Sequence, residues 1–392
     1  MKNAVYFQSG GPTSVINSSF YGVIKGVKES GGRIEKIYGA RYGLEGLLTQ
    51  DLVECDMSLL EYECLKSMPG AVLGSARLQL GENENVDERY SKVLECVKKF
   101  DIGYIFVNGG NDSMDTANKL NKYFDSINYD CKVLGIPKTI DNDLVGLDHA
   151  PGFASCAQYI IRTCMEMSMD INSYKKGRVT ILETMGRDTG WLAASSKVAC
   201  KYGLGPDLIY VPESCFDVDK FLKDVEDIYK KQGHAFVVVS EALKDKDGNY
   251  VSAAKDLDSF GHVQLGAISK YLADLVKEKL GINTRNIELS LTQRCASHIS
   301  SSIDVNEAIL VGCKAVEYAL EGKCGMVTIQ RDKDNYMSYP LDELSKTANG
   351  IQHLDPSYIN EEGNNITDAY VDYVAPLIDE NYIAIAKGRM FI

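Results

Sequence analysis

Seven residues, Pro137-Lys138-Thr139-Ile140-Asp141-Asn142-Asp143, put two carboxylates, a lysine and a hydroxyl into one short segment. The apolar run Lys132–Ile136 just before them reads as a buried strand. Open α/β sheets bind ligands beyond the carboxyl ends of their parallel strands, so a segment placed there can do acid–base and ion chemistry. Proline, asparagine and aspartate are also ordinary turn residues, and a solvated turn is the other reading of the same composition. Two glycine turns carry a second kind of chemistry. Ser9-Gly10-Gly11-Pro12-Thr13-Ser14 follows the run Ala4–Gln8, Gly109-Gly110-Asn111-Asp112-Ser113 follows Ile102–Asn108, and each opens a helix. Unpaired N–H groups at such a junction hold phosphate, helped by the helix dipole. Paired glycines let the phosphate approach the backbone, and Asn111 and Asp112 offer oxygen ligands for a metal. A plain turn explains the first junction equally well. At the second, a helix cap by Asp112 or Ser113 is compatible with phosphate binding.

The elements that must position these groups alternate along the chain. Strand candidates are Ala4–Gln8, Ile34–Tyr38, Ile102–Asn108, Lys132–Ile136, Val179–Glu183, Ala235–Ser240, Asn286–Leu289 and Met326–Gln330. Between them, Ser14–Glu29, Asp87–Lys99, Ser113–Tyr123, Ala154–Met169, Ala194–Tyr202, Asp217–Lys231, Gly266–Leu280 and Val305–Leu320 have helical periodicity. That rhythm predicts mainly parallel sheets with helices on both faces. At 392 residues the chain exceeds what one core usually serves, so two domains are expected. Lys244–Asp258 reads as an exposed loop around Asp247-Gly248-Asn249, and the polar tail from about Asp342 to Asp372 has no assignable function.

A formal net charge of -13 argues against a polyanion-binding surface and hence against a nucleic-acid partner. It leaves room for a small anionic substrate, which needs only a local cluster of arginines and backbone N–H groups. The eleven cysteines are scattered without a CxxC pair and are odd in number, as expected of reduced, buried thiols. The apolar run at Met1–Phe7 is too short for a signal-peptide core. No stretch approaches the roughly 20 apolar residues of a membrane span, so a cytoplasmic protein without a membrane partner is expected.

Pro137–Asp143 resembles the PxTIDND signature of the phosphofructokinase family, and Gly109–Ser113 resembles its GGxxS phosphate turn. Met185-Gly186-Arg187-Asp188-Thr189-Gly190-Trp191-Leu192-Ala193 is similar to the MGRxxGxxA box that binds the sugar phosphate, and Gly74-Ser75-Ala76-Arg77 to the GSxR segment. The resemblance runs in the right order from Ser9 to about Gly322. It implies a phosphofructokinase-like fold of two similar three-layer α/β domains with mainly parallel sheets. Residues 1–150 would bind the diphosphate donor and 151–392 the sugar phosphate, with the chain crossing back after about 292. By the same resemblance Asp141 is the catalytic base, with Asp112, Lys138 and Arg187 beside it. Thr139, Ile140, Asp141, Arg178, Met185, Gly186, Arg187, Glu241, Arg285 and Arg294 bind the sugar phosphate. Gly10, Gly11, Arg77, Gly110 and Ser113 bind the diphosphate, and Asn111 and Asp143 hold Mg²⁺.

Two residues bear on the donor. The ATP-using branch has glycine where this chain has Asp112 and Lys138, whereas pyrophosphate users resemble this chain. A carboxylate about 4 Å from the α-phosphate of ATP would be repelled by roughly 4 kcal/mol at an effective dielectric near 20, or about three orders of magnitude in affinity. Pyrophosphate has no such group, and Lys138 can neutralise its leaving phosphate. The implied activity is transfer from pyrophosphate to fructose 6-phosphate. The alternatives are an ATP-dependent enzyme and a regulatory subunit that binds sugar phosphate without turnover. Two departures matter: Asn111 replaces the usual metal-binding aspartate, and Leu291 replaces a His or Tyr that touches the sugar. Family sugar sites borrow arginines from a neighbouring subunit, so Arg178 and Arg285 are expected to act across an interface in a homodimer or homotetramer.

Overall fold

The structure, a computed structural model, describes residues 2–257, 263–265, 267–348 and 350–379. Its strands begin with β1 (Lys2–Gln8), β2 (Ile34–Ala40), β3 (Leu52–Glu54), β4 (Ile102–Gly109) and β5 (Lys132–Pro137). They continue with β6 (Val179–Thr184), β7 (Leu208–Tyr210), β8 (Ala235–Ser240), β9 (Ala253–Leu257) and β10 (Val263–Leu265). The last are β11 (Thr284–Glu288), β12 (Gly325–Val327), β13 (Gln330–Arg331), β14 (Met337–Ser338) and β15 (Leu341–Asp342). The described residues of Met1–Ser155 with Arg294–Gln352 form one compact unit, and those of Cys156–Gln293 with His353–Ile392 another.

The first unit is built on a seven-stranded sheet in the order β15-β12-β5-β4-β1-β2-β3. Its central pairs are parallel, and only the edge pairs β2–β3 and β12–β15 are antiparallel. Strand periodicity sends alternate side chains to opposite faces. Val5, Phe7, Ile105 and Val107 enter one core with residues of the helices Glu88–Lys99 and Asn111–Ser126. Ala4, Tyr6, Phe106 and Leu134 enter the other with residues of Ile16–Lys28 and Ser302–Leu320. Both faces are therefore covered, which is why β1, β4 and β5 read as continuous apolar runs rather than alternating ones. Each fully buried large side chain here stabilises by about 1.5–3 kcal/mol.

The second unit carries a four-stranded parallel sheet in the order β11-β6-β8-β7. Val179, Ile181, Val237 and Val239 point to one face, where they pack with Phe221 and Val225 of the helix Val218–Gln232 and Leu272 and Val276 of Ile268–Leu280. Asp217 starts the former helix by accepting from Lys220 N (2.8 Å), and Gly233 ends it in the left-handed region.

Some boundaries differ from those the sequence suggests. The run Met326–Gln330 is split, because β12 joins the main sheet while Gln330 starts a small hairpin of β13 with β14. The helix expected at Ala194–Tyr202 begins at Trp191 and is broken into Trp191–Ser195 and Lys197–Cys200. The segment read as the loop Lys244–Asp258 contains β9, and Asp258 lies outside the described residues, as does Gly266 of the expected helix Gly266–Leu280. Among the described residues no helix is long and apolar enough to cross a membrane, and the cysteines are free thiols.

Candidate active site

The chain leaves β1 toward β2 on one side and β4 toward β5 on the other, so the sheet order reverses between β1 and β4. Outside the carboxyl ends of strands at such a switch point lies the natural crevice for a ligand. In-register pairing of Gln8 with Asn108, and of Gly109 with Pro137, brings three loop starts side by side there. The loops then bond to one another. Lys138 N donates to Gly109 O (3.0 Å), Gly10 N to Ala76 O (3.4 Å), and Ser75 Oγ to Gly10 O (2.7 Å). Gly109 is required by close approach, because a Cβ there would sit 2.0 Å from Ser113 Oγ.

Lys138 is buried, and its Nζ donates to Gly11 O (2.6 Å). Burial pushes its ammonium down to about 8; Asp141 opposes that fall, Arg294 adds to it, Asp143 opposes it and Arg77 adds to it. Arg294 lies against the glycine turn, since a Cβ on Gly11 would be 2.7 Å from its Nη1. Its guanidinium is likewise lowered by burial and then by Arg77. Three cations thus repel one another around Gly10 and Gly11. That arrangement stores unfavourable energy that a compact polyanion would relieve. Asp112 is exposed in the first turn of Asn111–Ser126, and Ser113 is buried beneath Gly109.

Asp141 stands in a short turn in which its N–H donates to Thr139 Oγ (3.1 Å), with Ile140 buried between them. The returning limb holds this turn in place. Thr139 N donates to Pro151 O (3.2 Å), and Ala150 N to Asn142 Oδ1 (2.9 Å). Beneath it, buried His149 is 2.7 Å from both Asp148 and Glu307, and Arg331 pairs with Asp148. Burial alone would lower the His149 imidazole, yet the two carboxylates together raise it to about 9. The cluster is therefore charge-balanced, with the imidazolium and guanidinium matching two carboxylates. Asn111 Nδ2 donates to Asp143 Oδ2 (3.1 Å), while Asn111 Oδ1 is buried without a hydrogen-bond partner.

In the second unit, β6 and β8 end in register at Thr184 and Ser240. This pairing sets Met185-Gly186-Arg187 beside Glu241. Gly186, at φ 129°, donates its N–H to Glu241 Oε1 (3.2 Å) and its carbonyl accepts from Ser240 Oγ (2.8 Å). Met185 N donates to Gln293 Oε1 (3.2 Å). Burial raises the Glu241 carboxyl to about 7, against the lowering effect of the Gly186 N–H. Arg178 and Arg285 are not gathered here. They sit at the amino ends of β6 and β11, where Arg285 pairs with Thr180, so the length of the sheet, roughly 20 Å, separates them from Glu241.

The sequence profile described as Phosphofructokinase matches residues 3–319, most of the chain. The chain belongs to the phosphofructokinase family. Its similarity to individual phosphofructokinases extends further. The pyrophosphate–fructose 6-phosphate 1-phosphotransferase of Halomonas elongata is 37% identical over 383 residues, 96% of this chain and 91% of that one. A pyrophosphate-dependent phosphofructokinase structure from Nitrosospira multiformis has a TM-score of 0.87 at 37% identity, covering 96% of this chain and 92% of that one. A sulfofructose kinase of Alkalicoccus urumqiensis is 34% identical, over 95% of this chain and 94% of that one.

Several residues that support this phosphofructokinase's loops escape motif reading: Gln293 and Ser240 hold the Met185–Arg187 turn, and His149 underlies the Asp141 turn. Only His149 had a usable signal. A histidine between an aspartate and an apolar Ala-Pro-Gly-Phe run is a candidate for burial, but its second partner, Glu307, is 158 residues away.

Proposed function

We propose that this phosphofructokinase transfers the terminal phosphoryl group of pyrophosphate to the 1-hydroxyl of fructose 6-phosphate, giving fructose 1,6-bisphosphate and phosphate. The observation that carries the reading is the convergence of buried Lys138 with Arg294 and Arg77 on the glycine turn at the sheet's switch point. In this reading the backbone of Gly10, Gly11 and Gly110, with Ser113 and Arg77, binds the diphosphate. Thr139, Ile140 and Arg294 help orient the reacting groups.

The sugar 1-oxygen attacks the terminal phosphorus as the bridging P–O bond breaks, and Asp141 takes the hydroxyl proton. The departing phosphate carries growing negative charge, which Lys138 meets at close range in a water-poor site. The orphaned amide oxygen of Asn111 and the Asp143 carboxylate fit Mg²⁺, a hard cation that takes one or two protein oxygens and completes its shell on phosphates. When bound, it would neutralise diphosphate oxygens. Asp112 disfavours a nucleotide donor by charge.

Arg187, Glu241, Met185 and Gly186 bind the sugar phosphate in the second unit. Arg178 and Arg285, at the opposite, amino end of that sheet's strands, serve the sugar site of a neighbouring copy in a homodimer or homotetramer. The phosphorylated, membrane-impermeant substrates support a cytoplasmic location. The test is turnover of fructose 6-phosphate with pyrophosphate and with ATP side by side, with sulfofructose as a second acceptor. Pyrophosphate-dependent formation of fructose 1,6-bisphosphate is expected. A preference for ATP, or for sulfofructose, overturns the donor or acceptor assignment respectively.

A further inference from the structure

The polar segment after residue 352, which motif reading left without a role, has a defined course in the second unit. It is anchored at the β7 edge: Ile209 N donates to Asn364 O (2.9 Å), Asn364 Nδ2 to Asp224 Oδ2 (2.8 Å), and Ser214 Oγ to Gly363 O (3.2 Å). From this anchorage it reaches the loop that carries Arg187. His353 Nδ1 is 3.1 Å from Asp188 O. Glu213 Oε1 accepts from both Leu354 N and Gly190 N, each at 2.9 Å, and so ties the segment to the loop through one carboxylate. Tyr370, fully buried, donates its hydroxyl to Trp191 O (2.5 Å). Its ring packs with Trp191 and Tyr358, whose centroids lie 6.1 and 5.4 Å away.

We propose that residues 353–373 are a brace that positions Arg187 for the sugar phosphate, with His353, Leu354 and Tyr370 as its points of contact. The proposal rests on Arg187 binding that phosphate. Arg187 is half-buried on a loop whose inner side is fixed at Gly186 by Glu241 and Ser240. On its outer side the Gly190 N–H and the Asp188 and Trp191 carbonyls are met by the segment or by the carboxylate it shares, while the Asp188 side chain is met separately by Tyr250 (3.3 Å) and Lys244 (3.5 Å). Without the brace, binding would have to order the loop, and that ordering cost would appear as weaker affinity for the sugar alone. His353, Leu354 and Tyr370 are positioning residues, because they act through the loop backbone.

The experiment compares the intact enzyme with the double variant His353→Ala, Tyr370→Phe, which keeps the aromatic packing. The expected result is a KM for fructose 6-phosphate raised about 10-fold, with the KM for pyrophosphate within about 2-fold. Amide exchange at residues 186–190 should rise about 10-fold while β6 stays protected. In an Arg187→Ala background the double change should raise the sugar KM no further. Unchanged loop exchange overturns the proposal. So does faster loop exchange with an unchanged sugar KM, or a joint rise of both KM values with exchange throughout the unit. A wild-type enzyme that does not turn over fructose 6-phosphate with pyrophosphate overturns the functional reading instead, and the loop exchange still tests the brace.

Discussion

The two units meet one requirement, a charged loop held rigid at the ends of parallel strands, in different ways. In the first, the loops after β1, β4 and β5 bond mainly to one another, as Lys138 does to Gly109 and Gly11. In the second, the loop after β6 is held by residues from Glu213 to Tyr370, spread over a long stretch of chain. The first arrangement makes a compact cradle whose parts can be altered only with chemical consequences. The second makes a support whose parts can be altered with graded ones.

The comparison would break first at Asp141. Asp141→Asn is expected to lower kcat about 10²–10⁴-fold with substrate affinities little changed, because a general base acts in the transition state. Steady-state kinetics with calorimetric binding check this, and near-normal turnover would remove Asp141 from the chemistry.

Lys138→Met should cut pyrophosphate-dependent kcat by roughly 10²–10³-fold, the usual cost of losing one preorganised charge-stabilising donor. The same change is expected to stabilise the free protein. Burial holds the folded pKa near 8, below the unfolded value, so the charged lysine costs stability fully below pH 8 and the cost fades as pH rises toward 10.5. Melting curves at pH 7 and pH 10 should show a gain of up to about 3 kcal/mol at pH 7 only, less the lost Gly11 bond. No gain at pH 7 would mean that the cradle is not electrostatically strained.

Arg178→Ala and Arg285→Ala should each raise the KM for fructose 6-phosphate by about 10–100-fold and leave that for pyrophosphate unchanged. Mixing either with an Asp141→Asn variant should restore part of the activity through hybrid assemblies. Absence of rescue after demonstrated subunit exchange would count against sharing of these arginines. The smallest effect is expected at Glu241→Gln, with a several-fold rise in the sugar KM. Since burial raises the Glu241 carboxyl to about 7, its ionised form costs stability increasingly from pH 4.5 to 7. The amide should therefore raise Tm at pH 8 and not at pH 4; an equal shift at both would show that charge is not the cause.

What the sequence made legible follows the same division. The strands β1, β4 and β5 are apolar on both faces, so their runs and the glycine turns after them stand out, and the PxTIDND segment is contiguous. The supports of the Arg187 loop are not contiguous, and nothing local in Glu213 or Tyr370 announces that each bonds to a backbone group near residue 190. Three-residue strands such as β3 and β7 fall below the length at which periodicity can be read. The tail is polar in part because several of its contacts are hydrogen bonds that use backbone groups, which composition alone presents as a loop.

The strand order of the first unit also sets a timetable. β5 and β12 are neighbours in the sheet, yet roughly 190 residues of chain, including most of the second unit, are synthesised between them. At about 5–20 residues per second a ribosome needs on the order of 10–40 s to deliver β12 after β5. Through that interval the outer edge of β5 has no native strand to pair with, and an unpaired, flat, apolar edge templates association with other chains. The nascent chain therefore carries that edge unpaired while its length lies between residues 137 and 325.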